Sequence, residues 1–235
     1  MNIALILSGG TGTRLGANIP KQYIKVDGRM VISYCIEQFV KHKEIDAIQI
    51  VANRQWHNTI QAYFEKLDCS QKGNHTKFRG FSKPGENRQL SIYHGLQDIL
   101  LYALESDKII IHDAARPLIS AQIITDSLKA LEGHDGVIPV LSIKDTVYRS
   151  EDGKEISALI DRSKIYAGQA PETFRLGKYY EANVKLLPDK IWSVNGSTEP
   201  AVLAGLDIVM IPGDEKNFKI TTKEDLKRFC EVLKS

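Results

Sequence analysis

A glycine-rich turn follows the first apolar run of the sequence, and residues of this kind could hold a chain of phosphates. Residues 3–7 are apolar and lead directly into Ser-Gly-Gly-Thr-Gly-Thr-Arg-Leu-Gly at positions 8–16. Glycines after a strand let backbone N–H groups approach an anion closely. Arg14 and Lys21 lie on either side of this turn, so both cations could converge on the same phosphates.

Two common phosphate-binding motifs do not fit this turn. A dinucleotide-binding GxGxxG motif that begins at Gly10 needs glycine at position 15, where the chain has Leu15. A Walker A motif needs serine or threonine after its lysine, whereas Gln22 follows Lys21. The turn therefore indicates an anion site without identifying the nucleotide.

Two further charged residues come directly after predicted strands. Asp113 ends an apolar run, where a carboxylate could reach a ligand cleft and hold Mg²⁺ on substrate phosphates. The alternative is that Asp113 only caps the following turn. Lys219 follows the last predicted strand in a loop, where a solvated lysine is the ordinary interpretation and an active-site lysine is the alternative.

This set of residues suits a reaction between two phosphates. A phosphate monoester is already ionised near neutral pH, so it needs little help from a general base. The difficulty is to bring two anions together and to stabilise charge in line, which lysine, arginine and Mg²⁺ can do. We find no persuasive Ser-His-Asp set, and this chemistry needs none.

The elements that must position these residues alternate between strands and helices. Short apolar runs predict buried strands at residues 3–7, 47–51, 108–111, 136–140 and 208–211. Apolar residues at helical spacing predict helices at residues 30–41, 56–67, 88–104, 121–131 and 222–233. This order predicts an α/β fold with a mostly parallel sheet flanked by helices, and ligands bind such sheets beyond the carboxyl ends of the strands.

Residues 142–171 interrupt this alternation. The pair Asp152-Gly153 lies between two extended segments, which predicts a β-hairpin. The hairpin could project as an arm or extend the sheet as an antiparallel edge, and the pattern leaves both open. Because no internal repeat or low-complexity linker is present, we predict a single domain over residues 1–235.

Composition excludes several classes of protein. Lys and Arg total 31 against 29 Asp and Glu, so the net charge of +2 gives no basic field for nucleic acid. Three cysteines without a CxxC pair support neither a disulfide framework nor a zinc site. The first apolar run is too short for a signal peptide, and no run approaches the roughly 20 residues of a membrane span. We therefore expect a cytoplasmic protein without a membrane partner.

Several segments together resemble the CTP-dependent cytidylyltransferases of polyol phosphates, namely the methylerythritol-phosphate and ribitol-phosphate enzymes. The glycine turn with Pro-Lys-Gln-Tyr comes first, and the later motifs follow in the order of that family. The match extends from about residue 3 to residue 229, and the later motifs are His-Asp-Ala-Ala-Arg-Pro, Lys-Asp-Thr, Gly-Gln-Ala-Pro-Glu-Thr-Phe and Asn-Phe-Lys-Ile-Thr.

This resemblance implies a Rossmann-like sheet whose arm, at about residues 142–171, wraps the twin subunit of a homodimer. It assigns catalysis to Arg14, Lys21 and Lys219, and Mg²⁺ to Asp113. The acceptor would contact Thr146 and Arg162 of the neighbouring subunit's arm, and Glu199. The residues that would bind CTP are Leu7, Ser8, Gly9, Gly10, Thr11, Gly12, Thr13, Gly85, Glu86, Arg88, Ser91 and Ala114.

Departures from the family pattern concentrate in the acceptor-binding segments. Residues 197–201 are Ser-Thr-Glu-Pro-Ala where the family usually has Thr-Asp-Asp/Glu-Ala, and residues 168–171 also differ from the usual motif. We therefore expect transfer of CMP from CTP to ribitol phosphate, glycerol phosphate or a similar polyol phosphate, with release of pyrophosphate, as a step towards surface polymers. Three alternatives remain: 2-C-methyl-D-erythritol 4-phosphate as the acceptor, a sugar-phosphate nucleotidyltransferase that uses another nucleotide, and a non-catalytic nucleotide-binding module.

Overall fold

The computed structural model of this protein describes residues 1–10, 19–70 and 77–234. Seven helices flank the strands of the described chain: α1 Val31–Lys41, α2 His57–Ser70, α3 Arg88–Ile99, α4 Ala121–Ala130, α5 Leu176–Val184, α6 Glu199–Leu203 and α7 Lys223–Val232. The strands in chain order are β1 Asn2–Leu7, β2 Lys25–Val26, β3 Arg29–Met30, β4 Ala47–Val51, β5 Phe78–Ser82, β6 Lys108–Asp113, β7 Gly136–Ser142, β8 Val147–Arg149, β9 Ala158–Ile160, β10 Tyr166–Gly168, β11 Glu172–Arg175 and β12 Ile208–Pro212.

The main sheet has eight strands and is mostly parallel, as predicted. Its order is β10-β7-β11-β6-β1-β4-β5, and β12 pairs with β7. Strands β6, β1, β4 and β5 run parallel to one another, and β12 runs parallel to β7. The antiparallel strand β11 lies between β6 and β7 and joins these two parallel groups.

Two strands of this sheet were missing from the sequence prediction. Strand β5 (Phe-Arg-Gly-Phe-Ser) lies at the edge of the sheet, where a half-exposed strand does not need a continuous apolar run. Strand β11 has only four residues and is charged at both ends, by Glu172 and Arg175. Neither strand therefore shows the pattern that identified the central strands.

Period-two alternation along β1 explains how the sheet carries a core on each face. Ala4 and Ile6 pack on one side with residues of α1 and α2, whereas Ile3 and Leu5 pack on the other side with α3 and α5. The predicted helix at residues 88–104 is shorter than expected and ends at Ile99. Leu101 and Leu104, which lie in the part of the predicted helix beyond Ile99, are exposed.

The segment after β7 contains both structures that the sequence left open. Strands β8 and β9 pair only with each other, so this hairpin is separate from the main sheet. Strand β10 pairs antiparallel with β7 and extends the sheet. Within the arm predicted at about residues 142–171, nearly all of residues 144–168 are exposed whereas residues 169–171 are buried, so the name arm is used below for residues 144–168. Within the described ranges, no helix has both the length and the apolar character needed to cross a membrane.

Candidate active site

One cleft at the carboxyl ends of β1 and β6 brings together most of the predicted nucleotide and catalytic residues. Its volume is about 530 Å³. Four further residues that the sequence did not single out for the site, Gln22, Asn87, Ala115 and Thr221, also line it. The predicted residues that line the cleft are Leu7, Gly9, Gly10, Lys21, Gly85, Glu86, Arg88, Ser91, Asp113 and Lys219.

Some predicted residues are not in that lining. Thr11, Gly12, Thr13 and Arg14 lie outside the described residues. Ser8 and Ala114 are buried next to the cleft, at the ends of β1 and β6.

Two glycines allow the glycine turn, the segment around Pro84 and helix α3 to approach one another closely. A Cβ atom at Gly9 would lie 2.7 Å from the Cβ of Pro84, and a Cβ at Gly85 would lie 2.3 Å from the Cβ of Leu90. Any larger residue at either position would therefore force the backbones apart. This close approach gives the cleft one continuous wall from the glycine turn to α3.

The first turn of α3 is capped in a way that fixes the segment around Gly85. The side chain of Asn87 accepts a hydrogen bond from the N–H of Leu90 at 2.7 Å and donates to the carbonyl of Ile191 at 3.0 Å. The hydroxyl of Ser91 accepts the N–H of Gly85 at 2.9 Å. These bonds hold Gly85 and Ser91 side by side at the cleft.

Asp113, the last residue of β6, lies among three cations. Its carboxylate is 2.9 Å from Arg88 Nη2, 2.9 Å from Lys219 Nζ and 3.9 Å from Arg116 Nε. Burial alone would raise the pKa of Asp113, but the charges of Arg88 and Lys219 hold it well below its usual range. Asp113 is therefore an anion that organises the cations of the cleft.

The loop that carries Lys219 is attached to the turn that follows Asp113. The N–H of Ile220 donates to the carbonyl of Ala115 at 2.8 Å, and Arg116 Nη1 donates to the carbonyl of Asn217 at 2.6 Å. These two bonds bring two segments that are about a hundred residues apart in sequence to the same side of the cleft. Arg116 therefore links the turn after Asp113 to the loop that carries Lys219.

His112, next to Asp113 near the end of β6, is a packed residue. The ring is fully buried, lies edge-on to Phe39 with 5.3 Å between centroids, and contacts the carbonyl of Arg116 through Nε2 at 2.9 Å. Burial lowers the pKa of His112 to about 4, so the ring is neutral near pH 7.

Sequence reasoning missed a buried carboxylate near Arg88. Glu172 begins β11 and is almost fully buried, and the hydroxyl of Ser197 donates to it. Burial raises the pKa of Glu172, while the nearby Arg88 opposes this effect. The four-residue strand Glu-Thr-Phe-Arg gives no pattern from which this burial could have been predicted.

The predicted acceptor-binding residues are all outside this cleft lining. Thr146 and Arg162 are exposed on the arm, and Arg162 donates a hydrogen bond to the carbonyl of Lys144. Glu199 lies at the start of α6, where its carboxylate accepts the N–H of Asn195 at 2.8 Å and of Gly196 at 3.4 Å. In this chain, therefore, the cleft and the acceptor-binding candidates are separate.

Comparison with known proteins gives consistent matches over nearly the whole chain. The sequence model of the 2-C-methyl-D-erythritol 4-phosphate cytidylyltransferase family matches residues 2–234. A 2-C-methyl-D-erythritol 4-phosphate cytidylyltransferase from Rubrobacter xylanophilus is 34% identical over 230 residues, which cover 95% of this chain and 91% of that protein.

The name of a second relative refers to ribitol and not to methylerythritol. The bifunctional ribulose 5-phosphate reductase/CDP-ribitol pyrophosphorylase of Haemophilus influenzae is 34% identical over 233 residues, or 96% of this chain, and the match spans 46% of that longer protein. Among solved structures, 4-diphosphocytidyl-2C-methyl-D-erythritol synthase from Anaerococcus prevotii superposes with a TM-score of 0.84 at 25% identity, covering 100% of this chain and 96% of that one.

Proposed function

This chain belongs to the 2-C-methyl-D-erythritol 4-phosphate cytidylyltransferase family, and we propose that it transfers CMP from CTP to a small polyol phosphate and releases pyrophosphate. Proteins of this family are nucleotidyltransferases, as the chain is. The observation that carries the proposal is that Gly9, Gly10, Lys21 and Lys219, which come from both ends of the sequence, line one cleft.

The proposed reaction exchanges one phosphorus–oxygen bond for another. A phosphate oxygen of the acceptor attacks the α-phosphorus of CTP, the bond from that phosphorus to the bridging oxygen breaks, and pyrophosphate leaves. Lys21 and Lys219 would offset the negative charge that accumulates as the two anions meet. Lys219 suits this role, since its side chain is 40% exposed although its ammonium group contacts Asp113.

We assign the cytosine to the segment around Gly85 and Ser91. A Cβ at Gly85 would meet Leu90, so glycine at this position lets the segment lie directly against α3 where it lines the cleft. The bond from the N–H of Gly85 to Ser91 and the cap at Asn87 keep this segment in one conformation. A segment this short and rigid favours a pyrimidine over a larger purine.

The residues of the cleft fit a divalent ion of the Mg²⁺ type. Mg²⁺ is commonly held by one or two carboxylates together with substrate phosphates, and Asp113 supplies one carboxylate at the floor of the cleft. Among the described residues there is no cluster of three or more metal-ligating side chains that would hold a metal without substrate. When bound, Mg²⁺ would neutralise charge on the triphosphate and on the leaving pyrophosphate.

For the acceptor we propose a polyol phosphate of the ribitol phosphate or glycerol phosphate type. The carboxylate of Glu199 is occupied by two backbone N–H groups of its own loop, and the adjacent Pro200 is buried in the first turn of α6. The Haemophilus relative supports a ribitol phosphate by its name. The family description and the Rubrobacter relative favour the second candidate, 2-C-methyl-D-erythritol 4-phosphate.

We also propose that a second copy of the chain completes the acceptor site. Thr146 and Arg162 lie on the exposed arm, separate from the cleft of their own chain, so an arm from a neighbouring subunit would have to supply them. Arginine suits this role because its guanidinium can hold a phosphate through two parallel hydrogen bonds.

An acceptor panel tests the proposal. The purified protein would be incubated with Mg²⁺, with CTP or another nucleoside triphosphate, and with ribitol 5-phosphate, glycerol 3-phosphate or 2-C-methyl-D-erythritol 4-phosphate, while pyrophosphate release is measured. We expect turnover with CTP and fastest turnover with ribitol or glycerol phosphate. Exclusive use of the methylerythritol acceptor would reverse the acceptor assignment, use of a different nucleotide would reverse the cytosine assignment, and no pyrophosphate with any pair would leave a nucleotide-binding module.

A further inference from the structure

The carbonyl oxygens at the start of the glycine turn are held by side chains from other parts of the chain. Gln22 Nε2 donates to the carbonyl of Ser8 at 2.8 Å and to that of Gly10 at 2.8 Å. Asn53 Nδ2 donates to the carbonyl of Gly9, between them, at 3.3 Å. Three successive carbonyls therefore each have a donor from outside the turn.

These bonds determine which way the N–H groups of the turn can face. In a planar trans peptide, the C=O of one residue and the N–H of the next point in opposite directions. Because the carbonyls of Ser8 and Gly9 are held on the protein side, the N–H groups of Gly9 and Gly10 face the other way, and both glycines line the cleft. Neither N–H donates to another group in residues 1–10, 19–70 and 77–234.

Gln22 is well placed to hold this arrangement. Its side chain is almost fully buried, and it belongs to the 3₁₀ turn Lys21–Tyr23, next to the proposed catalytic lysine. The neighbouring Tyr23 stacks on Trp56 with 3.9 Å between ring centroids, and its hydroxyl donates to the carbonyl of Ser8 at 3.0 Å. The same short turn therefore fixes both Lys21 and the backbone of the glycine turn.

We propose that Gln22 is a positioning residue which, with Asn53, keeps the peptide N–H groups of Gly9 and Gly10 directed at the phosphates of the nucleotide. This inference rests on the proposed function. Without the two bonds of Gln22 the carbonyl of Gly10 loses its donor and that of Ser8 keeps only Tyr23. The peptides are then held less firmly and can present carbonyl oxygens, which repel phosphate, to the cleft. The loss in affinity should therefore depend on how many phosphates the ligand carries, and not on its base.

Titration calorimetry with CTP, inorganic pyrophosphate and CMP tests this dependence. Gln22→Met keeps the length of the side chain and removes its donors. We expect the Kd for CTP and for pyrophosphate to rise about tenfold, as for lost hydrogen bonds to charged groups, and the Kd for CMP to change less than about threefold. An unchanged Kd for CTP would overturn the inference, and so would an equal loss for CTP and CMP, which a general structural defect would cause.

Two further proteins make the test decisive. Gln49→Met removes another buried glutamine, one that bonds Ser82 and not the glycine turn, and should leave the ratio of CTP to CMP affinity unchanged. Wild-type protein that binds no CTP would refute the proposed function itself, which separates that failure from a failure of the inference.

Asn53→Ala covers the case in which Gln22→Met does not fold. Asn53 is partly exposed, so its replacement should not unfold the protein, and it removes the donor at the carbonyl of Gly9. We expect the Kd for CTP and pyrophosphate to rise about threefold, with CMP unchanged, since this bond is longer than those of Gln22. A Kd for CTP equal to that of the wild type would then overturn the inference.

Discussion

The cleft and the arm hold their charged side chains in different ways. In the cleft, Asp113 is 8% exposed and lies at the end of a central strand, where the nearby Arg116 and two cations from distant segments, Arg88 and Lys219, surround it. On the arm, Arg162 and Thr146 are exposed, and the hairpin of β8 and β9 pairs only with itself. The geometry of the cleft is therefore fixed by the core of one chain, whereas that of the arm is not.

This difference indicates how the two substrates would be shared. The described residues of the proposed nucleotide site line, or lie next to, a cleft formed by one chain. The arm exposes large apolar side chains, including Tyr148 at 55%, Ile156 at 65% and Leu159 at 69%. Exposed apolar surface of this kind marks an interaction site in many proteins, which supports the proposal that the arm packs on a second copy and supplies its acceptor phosphate.

The largest expected effect is the loss of a cation from the cleft. Lys219→Ala should lower kcat about a hundredfold or more, the typical loss for a contact that stabilises transition-state charge. The matched control is Lys216→Ala, three residues away on the same loop but exposed and outside the cleft. It should keep kcat within about twofold, since surface substitutions have small effects. Steady-state rates of pyrophosphate release from both variants, with circular dichroism to confirm folding, make the comparison.

Near-normal turnover by Lys219→Ala would show that the lysine serves only to neutralise Asp113. Equal losses in both variants would show that the loop as a whole, and not the cation at its end, is required. Either result would contradict the proposal that the cleft of one chain supplies the catalytic cations.

The second effect tests whether the arm acts on another subunit. Arg162→Ala should lower kcat/KM for the acceptor roughly thirtyfold, the equivalent of about 2 kcal/mol for a charge-assisted phosphate contact. If Arg162 acts in trans, mixing this variant with Lys219→Ala should restore activity. With random pairing, about half of the dimers would contain one subunit of each variant, and each of these would have one intact site. About a quarter of all sites would then be intact.

Pyrophosphate release from the mixed and separately refolded variants measures this recovery. Activity that equals the sum of the two separate variants would place Arg162 in the site of its own chain. Sedimentation of the wild type as a monomer would remove the trans role altogether and make the arm an unpartnered surface.

The fold could be predicted where the sequence pattern reflects burial on both faces. Strands β1, β4 and β6 each contain a largely apolar run, and each lies where that pattern places it, in the parallel part of the sheet. Strand β11 could not be found this way, because it is short and charged at both ends and gains its place only through pairing with β6 and β7. The position of β11 therefore depends on strand pairing and not on its local sequence pattern.

Candidate site residues could be recognised from the sequence where a charged residue follows a predicted strand. Asp113 and Lys219 were both candidates because they follow predicted strands, and the resemblance to the family selected them; the structure places their charged groups 2.9 Å apart. The supporting side chains Gln22 and Asn87 could not be identified, because their roles depend on the backbone groups that they meet, from residues such as Ser8 and Ile191. The sequence identifies a side chain as a hydrogen-bond donor, but its acceptor can be identified only from the folded structure.

A smaller effect concerns the dependence of stability on pH. Asp113 has a pKa below its unfolded value, because Arg88 and Lys219 outweigh the effect of burial. Its contribution to stability is therefore present above the unfolded pKa of about 3.9 and is lost as the pH falls through the acid range. Asp113→Asn should be less stable than the wild type by about 1.5 kcal/mol at pH 7, and the difference should shrink below about pH 4.

Chemical denaturation of both proteins at pH 7 and at pH 3 measures this change. The control on the arm is Asp145→Asn, where the side chain is exposed, and its free energy of unfolding should stay within about 0.5 kcal/mol of the wild type. A difference between wild type and Asp113→Asn that is independent of pH would mean that the carboxylate does not depend on its charge for stability.

The smallest effect concerns Glu199, which belongs to neither the cleft lining nor the arm. Its carboxylate already accepts the N–H groups of Asn195 and Gly196, and glutamine would keep one carbonyl oxygen for them. Glu199→Gln should therefore change the KM for the acceptor by less than about threefold, as expected for a weakened hydrogen bond at a partly exposed position, with the KM for CTP unchanged. A rise of tenfold or more in the acceptor KM alone would show that Glu199 leaves its loop to bind the acceptor. The acceptor site would then lie partly within the chain, and the arm would supply only its phosphate contacts.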